Sequence, residues 1–270
     1  MTAYSGRILA ASGGSIMIPD GDTAKRPEVL APTENEIIRL TGLAYPHVLV
    51  MAHAQRIFGA ETETDTAADI QKTFTELFGC ESRMLFSGDV AEDPVRTKEL
   101  LGWADIIYES GGHTPSMMEF WSSTGLGDLL RKEWLSGKVM CGASAGAICW
   151  FASGNTDAEG YIDREVNCVT GLGFINLYFS PHCQCGWKRE SETRSLRHLG
   201  IAGLSVSDCS AIEIADGGFR VIKYVPADPE FRPYVLHTFW KDGEMYEEEF
   251  PETEEFMPLE KLLEPRILRP

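Results

Sequence analysis

Five short apolar runs in the first two-thirds of the chain, set apart by longer stretches, limit the folds open to it. RILAAS (Arg7 to Ser12), HVLVMA (His47 to Ala52), SRMLF, DIIYES (Asp105 to Ser110) and KVMCGA read as strands. Helical patterns fall between several of them. TENEIIRLTG, from Thr33 to Gly42, has Thr33 as N-cap, Glu36 three residues on in a capping-box pattern, and Gly42 as a stop. DTAADIQKTFTELFG puts Ile70, Phe74, Leu77 and Phe78 on one helical face, and GLGDLLRKEWLSG also reads as helix. Strands separated by helices predict a mostly parallel central sheet covered on both faces: an α/β, three-layer α/β/α sandwich. After about Gly171 the pattern changes. SAIEIADGGFRVIKY holds two alternating runs around Asp216-Gly217-Gly218 and predicts a C-terminal β-hairpin. No repeat or low-complexity linker divides the chain, so a single domain over 1–270 is expected. Residues 240–270 form an acidic extension packed on it or trailing from it.

The totals exclude some functions. With 24 basic and 41 acidic residues the net charge is −17, which disfavours binding to nucleic acid or an anionic membrane by bulk attraction. Seven cysteines, an odd number at scattered spacings, fit reduced thiols in a cytoplasm better than a disulfide framework. The first residues lack a charged region followed by a long apolar core, and no run approaches the roughly 18 apolar residues of a membrane helix.

The chemistry concentrates in KVMCGASAGAICWF, Lys138 to Phe151. Gly142-Ala143-Ser144-Ala145-Gly146 matches G-x-S-x-G, set between a strand and a helix. In a nucleophile elbow that context pushes the serine hydroxyl out of the sheet, and the next backbone N–H can hold an oxyanion. The plainer alternative is a tight turn with Ser144 as an N-cap. A serine hydroxyl needs a base. Among six histidines, His182 follows the apolar run INLYFSP at a strand end and is the expected base. His47 and His53 flank a strand, His198 lies in a helical segment, and His237 lies in the late β region. The acid that orients the imidazole is expected in SGNTDAEGYID, which offers Asp157, Glu159 and Asp163. Asp157 leads and Glu159 is second. SGGHT, Ser110 to Thr114, ends a strand with paired glycines. It offers Gly112 N–H, with Ala145 N–H, as an oxyanion hole, and places Gly111 and His113 along the cleft.

Gly-Gly-x-Thr, Gly-x-Ser-Ala-Gly-Ala, an acidic Thr-Asp segment and Pro-His follow one another in that order. Together they resemble the dipeptidase E and cyanophycinase-type serine peptidases, most specifically at GASAGAICWF and FSPHC. The resemblance implies a fold like flavodoxin and the class I glutamine amidotransferases. It implies Ser144 as nucleophile, His182 as base, Asp157 or Glu159 as acid, and Gly112 with Ala145 as oxyanion hole. In the dipeptidase branch a basic residue after the histidine receives an acidic substrate side chain. KRESETRSLRHL resembles that segment, with Arg194 as the matching arginine. A guanidinium fork suits a carboxylate; as a plain surface helix, the segment would instead pair Glu190 with Arg194. His113 stands where the group more often has Asn or Asp.

The resulting expectation is a serine peptidase acting on small peptides through an acyl-enzyme, with no metal or organic cofactor and a rate that rises as its histidine base loses a proton. A homodimer is common in the group. Two other functions fit parts of the chain. One is an α/β-hydrolase-type esterase pairing Ser144 with His237 and an acid such as Asp208 or Asp216. The other is a non-catalytic member that binds a ligand. His182-Cys-Gln-Cys185 offers too few ligands for a convincing metal site, and Cys141 precedes the elbow and should point into the sheet.

Overall fold

The computed structural model describes residues 6–14, 26–158 and 167–264. The α/β fold class is as expected, and the strands form two sheets. The first has eight strands in the order β14-β11-β10-β1-β5-β4-β2-β3. They are β1 (Arg7–Ala11), β2 (Val48–Met51), β3 (Ser82–Met84), β4 (Ile106–Glu109), β5 (Val139–Ala143), β10 (Ser210–Ala215), β11 (Gly218–Lys223) and β14 (Met257–Pro258). β1 to β5 pair in parallel and are the five apolar runs; β10, β11 and β14 add an antiparallel edge beside β1.

Burial on both faces explains why these strands read as continuous apolar runs. Successive residues point to opposite sides. Ile8, Ala10, Leu49, Met51, Ile107 and Met140 enter one core cluster, and Leu9, Ala11, Val48, Val50, Ile106 and Cys141 enter the other. The second cluster is closed by Ile37 and Leu40 of the helix Pro32–Thr41 and by Ala67 and Phe74 beyond it. The first is closed by the helices Thr114–Thr124 and Leu126–Leu135 together with the second sheet.

That second sheet was not anticipated from the strand pattern. Its order is β13-β12-β9-β8-β6-β7, from β6 (Phe151–Thr156), β7 (Asn167–Thr170), β8 (Ile175–Pro181), β9 (Gly203–Val206), β12 (Val235–Lys241) and β13 (Glu244–Phe250). β6, β8 and β9 run parallel, and the outer strands antiparallel. The acidic C-terminal segment thus supplies the edge strand β13, the short β14 and the helix Glu260–Leu263. Glu247, Glu248 and Glu249 of β13 are exposed, a charged edge of the kind that discourages further pairing.

Two local expectations change. The helix at Thr33 begins at Pro32 with Ala31 as N-cap and no side-chain cap. Glu36 turns to Arg39 (2.7 Å) and to buried Arg220 (2.5 Å), which also bonds Glu213 across the β10–β11 hairpin. A buried guanidinium outcompetes a backbone N–H for that carboxylate. The helix after Ser144 is a single turn, Ala145–Ile148, because the chain enters β6 at Phe151. The hairpin itself forms as expected, with Asp216 at φ 50° and Gly217 at φ 79°, the two positive φ values a two-residue I′ turn requires. Among the described residues no helix is long and apolar enough to cross a membrane.

Candidate active site

Ser144 sits where β5 ends, at φ 54°, ψ −115°. A non-glycine residue there costs about 1–3 kcal/mol and is held only by its surroundings. Its N–H donates to Ala11 C=O (3.1 Å), and its C=O accepts from Ala147 and Ile148 N–H (3.0 Å each). The flanking glycines are set by contact. A Cβ on Gly142 would lie 2.2 Å from Glu109 O, and one on Gly146 would lie 2.0 Å from the same atom. The elbow therefore packs backbone to backbone on the end of β4, and no side chain fits between.

His182 follows β8 directly, in the left-handed region at φ 55°. Its Nε2 lies 3.1 Å from Ser144 Oγ and its Nδ1 lies 2.5 Å from Asp208 Oδ1. Asp208 comes just after β9. β8 and β9 are parallel neighbours with Pro181 opposite Val206, so His182 and Asp208 leave adjacent strands at the same end. The hydrogen bond from His182 holds the Asp208 carboxyl below its ordinary value, against desolvation, and Gln184 and Ser12 assist. An ionised carboxylate only accepts. Nδ1 therefore carries the proton, and Nε2 presents its lone pair to the serine hydroxyl.

Ser12, fully buried at the end of β1, ties the two sheets together at this point. Its Oγ accepts His182 N–H (2.8 Å) and donates to Asp208 Oδ1 (3.3 Å). Gly13 and Gly14 form a cradle: a Cβ on Gly13 would stand 3.2 Å from His182 Cε1, and one on Gly14 2.6 Å from Asp208 Cβ.

The third group differs from the expected one. Asp157 follows β6, and its Oδ2 lies 3.3 Å from Nζ of buried Lys188, not on His182. Lys188 Nζ is nearly out of water, so it draws the nearest carboxylate to itself. Glu159 and Asp163 lie outside the described residues. In the sequence, Asp208 stands only as a partner for His237. The signal it held was an acid at a strand end, but recognising it requires knowing that β9 lies beside β8.

The loop after β4 stands over the elbow. A Cβ on Gly111 would come 3.4 Å from both Ser144 Cβ and Ala143 O. Gly112, at φ 146°, leaves no room for one, since Ala54 O would be 2.5 Å away. Ala145 is the first residue of its helical turn, so its N–H has no intrahelical acceptor. His113 caps the helix Thr114–Thr124: its Nδ1 accepts Ser116 N–H at 3.2 Å. Arg194 is exposed on the helix Gly186–Leu199, which begins four residues after His182.

His237 is buried in β12, stacked on Phe250, with Nε2 3.1 Å from Leu262 C=O and burial pushing it down to about 4. Asp216 is exposed in the hairpin turn, 3.9 Å from Arg7. Neither is brought to Ser144. Cys141 is fully buried, its thiol aimed at Ile107 C=O and pushed up by burial. Among the described residues no group of His, Cys, Asp and Glu is placed to hold a metal ion.

Residues 17–222, more than half of the chain, match Peptidase family S51. A relative is the uncharacterized peptidase YgaJ of Bacillus subtilis (strain 168), 36% identical over 113 residues. That match covers 42% of this chain and 45% of the relative, so the chain spans under half of that protein's length in it. Among solved structures, a peptidase from an acI-B1 Actinobacterium superposes with a TM-score of 0.65 at 18% identity, covering 94% of this chain and 96% of that one. A structure described as a peptidase E protein from Listeria monocytogenes EGD-e gives 0.53 at 16% identity, covering 81% and 98%. At such identities the two structures support the fold alone. The chain belongs to peptidase family S51, and with it to the serine-type peptidases.

Proposed function

We propose that Ser144, His182 and Asp208 are the triad of a peptidase that cleaves small peptides by two-step acyl transfer. The observation that carries this reading is the unbroken line from Asp208 Oδ1 through His182 to Ser144 Oγ, at 2.5 and 3.1 Å, ending on a strained elbow. As Ser144 Oγ bonds to the substrate carbonyl carbon, Nε2 of His182 takes the hydroxyl proton. The carbonyl electron pair moves to oxygen, and this oxyanion faces the N–H groups of Gly112 and Ala145. When the C–N bond breaks, His182 returns the proton to the leaving amine. Water then repeats the sequence on the acyl-enzyme. Asp208 stays ionised throughout and fixes the tautomer.

A fluorophosphonate probe tests the reading directly. Wild type is expected to be labelled at Ser144, and Ser144→Ala and His182→Ala to lose labelling, while His237→Phe keeps it. Loss of labelling in His237→Phe alone would instead favour the esterase arrangement, and an unlabelled wild type would favour the non-catalytic, ligand-binding one.

For specificity, the reading gives Arg194 an acidic substrate side chain. The support is its exposed guanidinium on the helix following the histidine and its match to the dipeptidase segment. A charged hydrogen bond of this kind is worth about 10- to 100-fold in discrimination. In a dipeptide library, Arg194→Ala is expected to lose that factor of preference for acidic N-terminal residues. Identical preferences in the two proteins remove Arg194 from the role.

A further inference from the structure

Beneath the elbow lies a buried carboxyl that the triad does not use. Glu109, the last residue of β4, is fully buried. Its backbone oxygen is the atom against which Gly142 and Gly146 pack. Its side chain points to the turn after β2, where Oε1 accepts Ala54 N–H at 3.1 Å. The same peptide segment grips the loop over Ser144. Ala54 C=O accepts His113 N–H (2.8 Å), and Gln55 Nε2 donates to Gly111 C=O (2.6 Å). Gly112 rests on Ala54 O so closely that no Cβ fits.

Resting on the triad reading above, we infer that Glu109 is a positioning residue for acyl transfer: through Ala54 it holds Gly111–Gly112 in place beside Ser144, and it does so as the neutral acid.

Burial and the missing partner at Oε2 favour the neutral form. Glu109 Oε2 is buried with no hydrogen-bond partner. His53 Nδ1 is 4.0 Å from it, but that nitrogen accepts Trp121 Nε1–H at 3.0 Å. The His53 proton is therefore on Nε2, which lies 2.9 Å from Leu85 C=O. His53 is neutral, pushed down to about 4 by burial. Glu63, on the helix Ala60–Lys72, adds negative charge and spends its own oxygens on Ser87 N–H and O–H. Cys149 gives its thiol hydrogen to Gly146 C=O, with burial holding it protonated. Tyr108 next in β4 is likewise pushed up by burial. Arg56 lies over the Phe120 ring. Among the described residues no cation balances the site, and burial raises Glu109 to about 8 against the backbone N–H groups of Ala54, Ser110 and His53, which lower it. Ionised, it would set an uncompensated anion under the segment that must receive a developing oxyanion, opposing it at low dielectric.

The test is the rate of fluorophosphonate labelling of Ser144 from pH 6 to 10. Wild type is expected to slow about tenfold between its maximum and pH 9, one unit above the value for Glu109. Glu109→Gln keeps the acceptor for Ala54 and cannot ionise. It is expected to label within about threefold of wild type at pH 7 and to lose the alkaline fall. Glu109→Ala drops the anchor and is expected to lower kcat on a cleaved dipeptide about 10- to 100-fold with KM little changed, as removal of oxyanion support does. If Glu109→Gln keeps the alkaline fall, or if Glu109→Ala folds and labels at the wild-type rate, the inference is overturned while the triad stands. If wild type labels at no pH, the triad reading fails and this inference goes with it.

Discussion

Asp208→Asn is expected to lower the rate of Ser144 acylation about 10⁴-fold with the fold intact. An asparagine can place its N–H₂ against His182 Nδ1, which then gives up its proton to Nε2. The imidazole would present a donor where Ser144 needs an acceptor. The contacts that fix the loop are unaffected, because Ser12 Oγ still receives His182 N–H and Gln184 Oε1 still receives Asp208 N–H, a main-chain donor. Asp157→Asn is the matched comparison. It removes a half-exposed carboxylate facing buried Lys188, which costs stability because the ammonium loses its counter-charge, and is expected to keep the labelling rate of the folded protein within about fivefold of wild type. Labelling rates of the two variants at pH 7, with thermal melts to confirm folding, decide between them. Equal losses would return the acid role to Asp157. Because Asp208 titrates below its ordinary range in the folded protein, its contribution to stability is present above the unfolded carboxyl value and is lost as pH falls through the folded one.

Gly146→Ala is expected to cost about 4 kcal/mol or more, or to leave no soluble protein. Its Cβ would lie 2.0 Å from Glu109 O, 2.6 Å from Glu109 C and 2.7 Å from Ser110 O. All three are backbone atoms, so no rotamer relieves the overlap. Either the elbow lifts off β4 or the loop above Ser144 moves. Gly102, in the helix Pro94–Trp103 with open space at its Cβ position, is the control. There alanine is expected to stabilise by up to about 1 kcal/mol. Urea titration of both variants measures the difference, and a Gly146→Ala protein as stable as wild type would refute the close packing of elbow on β4.

Local spacing makes the placement of Ser144 and His182 legible. Gly142 to Gly146 between two apolar runs specifies a strand that ends in a tight turn, and His182 after INLYFSP specifies a side chain leaving a strand end. Both depend on neighbours in the chain. Glu36 and the turn after Ser144 differ from the local pattern for the opposite reason. The Glu36 carboxylate is claimed by Arg220, 184 positions away, and the helix is cut short because Phe151 joins a second sheet. Arg39 is the local partner of Glu36, but nothing within a few residues of either position reveals Arg220 or the second sheet.

The acid is the sharpest case. The sequence alone determined that a parallel α/β sheet would set Ser144 on a glycine-flanked elbow and His182 at a strand end, because apolar periodicity and glycine's small size act locally. The tertiary structure alone decided that Asp208 meets His182, that Asp157 is taken by Lys188, and that Glu109 lies uncompensated beneath the elbow. Which carboxylate faces an imidazole, a lysine or nothing depends on which strands are neighbours, and strand order is set by packing between residues far apart in the chain.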